Sequence, residues 1–200
     1  MEGETGLCIG RVLSSSTTRF VAGCSALLPE VPNFGSFVKV RVHNGTEVVG
    51  LIYDVSFQDD LLVRQLIGAE AISEEVLRDQ RENRQIPIEV SVLVVGYRRD
   101  DVVYQHLPPQ PPPALNEVML CDEGEVLAFS RSFDYFRTVL GSGGDVPADE
   151  LVAASLRQAS RCRGGGEPER AYLVQAGREL VRLLGDDLAR LDGILRRIRA

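Results

Sequence analysis

The sequence predicts an α+β protein: a small closed β-barrel of six short strands, followed by a helical C-terminal region. Three observations carry this. Residues 1–121 hold several short runs in which apolar and polar residues alternate, and glycines or turn clusters separate them. A proline-rich passage, "LPPQPPP" at 107–113, interrupts the pattern near its end. From residue 122 onward apolar residues recur at spacings of three, four and seven, the period of an amphipathic helix. Two hundred residues suit one domain, or one domain with an appendage.

Leu7–Leu13 is apolar, broken by Gly10 and Arg11, and the turn cluster "SSSTT" at 14–18 leads to a second strand, Arg19–Cys24. The passage 28–35, with two prolines and a final glycine, reads as a loop. In Phe37–His43, Val38, Val40 and Val42 share one face, while Phe37, Lys39, Arg41 and His43 share the other. Asn44-Gly45 is a strong hairpin signal, because both central turn residues must accept positive φ, and Glu47–Val55 returns as the partner strand. Ser73–Arg84 reads as a short inserted helix, with Ser73 as its cap and Glu74 and Glu75 at the positive end of its dipole. The run 86–97 is the longest strand, with Ile88, Val90, Val92 and Val94 on one face. Val102–Leu107 pairs with it across a polar turn, and Glu117–Cys121 supplies a last strand. The prolines of 107–113 lack backbone donors, so that stretch reads as a stiff extended connector. An aromatic-lined groove on another protein is the alternative reader of such a run.

The helical half begins near residue 123. Ser130–Leu140 gathers Phe133, Phe136, Val139 and Leu140 as one helix. A second helix follows Pro147 and runs to about Arg161, and "RGGGEP" at 163–168 is a joint. Leu173, Leu180, Leu184, Leu191, Ile194 and Ile198 then form a stripe, split into two helices at Gly185-Asp186. The stripe is the candidate partner contact: it folds back on the barrel or meets another protein or a second copy.

Composition narrows the chemistry. The four cysteines, Cys8, Cys24, Cys121 and Cys162, form no close pair, and the histidines His43 and His106 have no adjacent ligand. Zinc and redox sites need such pairs, so neither a metal nor any other cofactor is expected. Cys8 and Cys24 lie in apolar segments and read as small core residues. No run of apolar residues is long enough for a membrane span, and the acidic N-terminus does not resemble a signal peptide, so the cytoplasm is the expected location. The net charge of −7 is uneven: residues 1–150 carry 12 basic and 23 acidic groups, while 151–200 carry 10 arginines and 6 acids. Arg190, Arg196, Arg197 and Arg199 are therefore candidate nucleic-acid contacts, with a solvated helix face as the competing explanation.

"IGRVLSSSTTRFV" at 9–21, "GSFVKV" at 35–40 and "GLIYDV" at 50–55, with "VVGY" at 94–97, resemble the HAS barrel. This is the N-terminal barrel shared by HerA-type DNA-translocating ATPases and ATP synthase subunits. The resemblance covers roughly residues 7–121 and places Gly10, Gly35, Phe37 and Gly50 as structural motif positions. It implies a six-stranded barrel that packs beside copies of itself or docks a partner, and in HerA-type proteins that partner is the nuclease NurA. The family's ATPases follow the barrel with a phosphate-binding Gly-x-x-x-x-Gly-Lys-Ser/Thr loop, and this chain contains no Gly-Lys dipeptide. Its only lysine, Lys39, follows Gly35 by four residues and sits opposite the valines of its strand. It reads as an outward solvent or interface charge, so Lys39→Ala is expected to leave the fold intact.

Adjacent acids such as Asp59-Asp60, Glu74-Glu75, Asp100-Asp101 and Asp186-Asp187 point in different directions along any regular element, and no Gly-x-Ser-x-Gly elbow is present. The expected function is non-catalytic: a protein-interaction or oligomerisation module, serving a HerA-type ATPase or a nuclease in DNA processing. A nucleic-acid-binding accessory and a metal-dependent nuclease are the alternatives.

Overall fold

The computed structural model describes residues 6–24, 32–42, 45–57 and 88–199. The expected helix over 73–84, the turn residue Asn44 with His43, and the acid pairs at 59–60 and 74–75 lie outside the described residues. Seven strands are present: β1 (Cys8–Ser15), β2 (Arg19–Cys24), β3 (Phe37–Arg41), β4 (Glu47–Phe57), β5 (Ile88–Arg99), β6 (Val102–Tyr104) and β7 (Glu117–Leu120). Antiparallel pairing runs β2-β1-β7-β3-β4-β5, and β2 also pairs with β5, which closes a six-stranded barrel. β6 lies outside it as a hairpin extension of β5. The turn between them carries positive φ at both Asp100 (49°) and Asp101 (61°), the backbone a two-residue hairpin needs.

The alternation read from the sequence fixes the barrel's two faces. Val38, Val40, Ile88, Val90, Val92 and Val94 point inward and pack with Ile9, Val12 and Phe20. β4 and β5 are long enough to bend around the barrel, with register shifts at Val49/Gly50 and Ile52/Asp54. Gly10 and Gly50 mark places where neighbouring chain comes too close for a side chain. A Cβ on Gly10 would stand 2.2 Å from the Gly23 carbonyl oxygen, and one on Gly50 would stand 2.3 Å from a methyl of Val92. Cys24 is buried in the interior, whereas Cys8 is exposed. The expectation that both are core residues fails for Cys8, because β1 begins there and its register against β7 shifts between Cys8 and Gly10.

Five helices follow: α1 (Glu123–Phe129), α2 (Tyr135–Leu140), α3 (Ala148–Arg161), α4 (Gly166–Leu184) and α5 (Leu188–Arg199). The single helix expected over Ser130–Leu140 is instead the second of two, and Ser130 ends the first. Asp122 caps α1 through a reciprocal capping box with Glu125. Gly185 ends α4 as expected, but the cap of α5 is Asp187 rather than Asp186: its carboxylate accepts from the Arg190 amide at 3.0 Å. Between β6 and β7 the proline-rich connector is tied down, with Pro108 and Pro112 buried and the Ser15 hydroxyl donating to the Pro112 carbonyl at 2.7 Å.

The helices bury the outer face of the barrel. Phe37, Val49, Leu51, Leu93 and Val95 project outward from β3, β4 and β5 into one apolar cluster with Phe129, Tyr135, Phe136, Leu151, Leu156 and Leu180. The apolar core therefore runs across the boundary between residues 121 and 122 that the sequence pattern marks. None of the helices among the described residues is long and apolar enough to cross a membrane.

Candidate docking surface

Each residue of "GSFVKV" that faces away from the barrel interior meets a helix. Gly35 has φ +83°, a conformation side chains rarely adopt, and a Cβ there would lie 2.4 Å from the Cβ of Ala154 on α3. The Phe37 ring packs edge-on to Tyr135, its backbone amide donates to the Gln158 side chain of α3 at 3.1 Å, and Lys39 reaches α1. The motif that carries the barrel resemblance is also the seat of the helical cap.

Lys39 corrects the expectation of a solvent charge. Its side chain is only 13% exposed, because α1 covers that face of the barrel, and its Nζ lies 2.5 Å from the Glu125 carboxylate. Glu47 on β4 is 4.0 Å away and itself buried. Arg98 on β5 donates to Glu47 and also approaches Glu125 at 3.5 Å. Arg41 reaches Glu47 from the rim at 3.5 Å. Glu125 also accepts from the Asp122 amide at 3.0 Å, so one carboxylate both caps α1 and anchors it to two strands. Burial lowers the pKa of Lys39, but the hydrogen bond from its ammonium to Glu125 and the charges of Glu125 and Glu47 outweigh this and hold it above the ordinary lysine value. The neighbouring Cys121 thiol is pushed up by burial first and then by Glu125. A cavity of about 20 Å³ beside this cluster has room for one water molecule.

The remaining candidates divide. Of the stripe, Leu180, Leu184, Leu191 and Ile194 are buried in the chain's own core, and Leu173 and Ile198 pack half-buried against it. As a partner contact the stripe is thus largely consumed at home, because α4 and α5 turn it onto α3 and each other. Among the proposed nucleic-acid arginines, Arg190 pairs with Asp149 at 2.7 Å, Arg196 with Asp192 at 2.6 Å, and Arg197 with Glu150. Only Arg199 of the four makes no ion pair among the described residues.

Beside the stripe an apolar strip remains uncovered. The N-terminal half of α4 and the C-terminal half of α5 flank an open groove of about 450 Å³ lined by Leu173, Val174, Leu195 and Ile198, with Glu169, Arg170 and Arg199 at its rim. Val174 is 47% exposed, and Val181, seven residues on and so on the same face of α4, is 52% exposed. Arg170 and Arg178 stand one turn on either side of Val174. Like Arg199, they make no ion pair among the described residues. The next arginine along α4, Arg182, is held by Glu179 at 2.5 Å. A second recess, near the ends of β1, β3 and β7, has its charges paired already: Arg11 with Glu117 at 2.6 Å and Arg41 with Glu47. Among the described residues, no group of three or more histidine, cysteine or acidic side chains is placed to hold a metal ion.

No protein-family model matches this chain. No curated protein matches it by sequence.

The groove and its arginines were missed at the sequence level, because Val174 and Val181 fall just outside the stripe's apolar period. The available signal was the row Arg170, Val174, Arg178 at intervals of four, with Val181 one further turn along.

Proposed function

We propose that this chain is a non-catalytic, cytoplasmic protein-docking module: a HAS-type barrel whose helical cap presents a binding face to a partner. The observation that carries the reading is the uncovered apolar strip of α4 and α5, bordered by arginines that have no partner among the described residues. Val174 and Val181 leave about half of their surface in water, and an exposed apolar strip with a charged border is the surface character of interaction sites. The resemblance of "IGRV", "GSFVKV" and "GLIYDV" to the HAS barrel supplies the class of partner, a HerA-type ATPase or a nuclease that acts on DNA.

Affinity purification of the tagged chain from the cell that encodes it, followed by mass spectrometry, tests the proposal. A co-purifying P-loop ATPase or nuclease is the expected result. A strictly monomeric protein with no retained partner contradicts it.

A further inference from the structure

The occupant of the groove can be specified from its shape and charge; this inference rests on the docking-module reading. We propose that the α4–α5 groove receives an amphipathic helix of a partner protein whose apolar edge is flanked by carboxylates.

Shape comes first. α4 and α5 lie side by side and leave Leu173, Leu195 and Ile198 half-covered, with Val174 beyond them in solvent. Two adjacent helices with an open apolar seam between them accept a third helix in the seam, as in helix-in-groove recognition. From Arg170 to Val181 the strip spans about three turns, or roughly 17 Å at the rise of an α-helix, which a helix of similar length can cover. Gly177 lies between Val174 and Val181, and a Cβ added there meets nothing within 4 Å. No neighbour in the chain requires a glycine at this position, although in a helix interior it costs about 1 kcal/mol relative to alanine. It leaves a notch where a partner helix can approach the backbone closely.

Charge then selects the partner. Arg170, Arg178 and Arg199 border the strip without ion pairs among the described residues, while Arg182, Arg190, Arg196 and Arg197 nearby are all neutralised. Glu167 and Glu169 sit in the first turn of α4, where the helix dipole favours them, and Glu169 also lines the groove, so its rim holds two arginines against one carboxylate. Beyond that turn the border is basic, and its complement is a row of carboxylates on each side of an apolar edge. A second copy of this chain fits less well. A two-fold axis through the strip sets Val174 against Val181 but brings the Arg178 side chains of both copies together. Nucleic acid would use the arginines and leave the valines without a role.

The test uses the whole chain and two synthetic helical peptides with identical leucine edges, one flanked by glutamates and one by lysines. Fluorescence anisotropy at low salt measures their binding. The glutamate peptide is expected to bind at least about tenfold tighter, Val174→Asp to weaken it about tenfold, and Arg170→Glu with Arg178→Glu to reverse the preference. Val174→Ser serves as the milder variant if the aspartate melts α4, and circular dichroism verifies both folds. Equal binding of the two peptides, or binding unaffected by Val174→Asp, overturns the proposal. So does a concentration-dependent dimer that Val174→Asp dissociates, which assigns the strip to a second copy. DNA binding lost on the arginine reversals but retained in Val174→Asp overturns it in favour of nucleic acid. A native partner that still co-purifies with Val174→Asp would leave the docking-module reading standing and this surface refuted; no partner at all would remove the module reading itself.

Discussion

Lys39→Met should destabilise the protein by about 2 kcal/mol, although the sequence alone places this lysine at the surface. Methionine keeps the length and apolar stem of the side chain, so the change isolates the charge. In the folded protein the Lys39 and Glu125 side chains are 13% and 16% exposed and 2.5 Å apart. Removing one partner of a fully buried ion pair costs about 3–5 kcal/mol, because the other charge is left uncompensated in a poorly solvated place. Here Arg98 remains 3.5 Å from Glu125 and takes over part of the charge, so the loss falls to about 2 kcal/mol. For a chain of this size that lowers Tm by about 4–8 °C. Thermal melts followed by circular dichroism measure the shift, and a double-mutant cycle with Glu125→Gln should return a coupling energy of about 1–2 kcal/mol. Replacing both residues by methionine should not restore full stability, because Glu125 also accepts from the Asp122 amide at the start of α1. A Tm within about 1 °C of the parent for Lys39→Met would show that α1 is not anchored through this pair.

Three further outcomes follow from the same packing. Gly35→Ala should cost at least about 2 kcal/mol, from the positive φ and from contact with Ala154; chemical denaturation measures it, and a neutral result would mean that α3 does not sit on this turn. Stability should be level near neutral pH and fall in alkali. Burial first of all raises the pKa values of Cys24 (to about 11) and Tyr172 (to about 12), and Tyr135 is raised as well. A raised folded-state pKa favours the native state below the unfolded value, and that contribution is lost as pH rises through the window between the two, so Tm should drop from about pH 9 upward. An equal Tm at pH 7 and pH 10 would contradict this. A thiol reagent at pH 8 should label exposed Cys8 first and buried Cys24 only on unfolding, as mass spectrometry of the labelled peptides will show.

Strand by strand, the barrel was legible in the sequence, because a period of two is imposed wherever one face is buried. Val38 and Val40, and Ile88, Val90, Val92 and Val94, point inward as the alternation requires. The same alternation puts Phe37 and Lys39 on the opposite face but carries no information about what lies there. The helices that cover it come from residues more than eighty positions away, as Glu125 does for Lys39. The start of α1 was written in the sequence as Asp122-x-x-Glu125, a capping-box spacing, yet the aromatic cluster of 133–140 drew the helix boundary too far along the chain. The leucine stripe declared that it would be buried without declaring against what. The uncovered strip was hidden for a related reason: Val174 and Val181 differ from core residues only in what the fold fails to place over them.

One continuous core joins the barrel and the helical cap, which is seated on β3 through Gly35, Phe37 and Lys39. Differential scanning calorimetry of the whole chain tests this most directly. A shared core predicts one transition whose calorimetric and van't Hoff enthalpies agree. Two resolved transitions, one for the barrel and one for the helices, would contradict it.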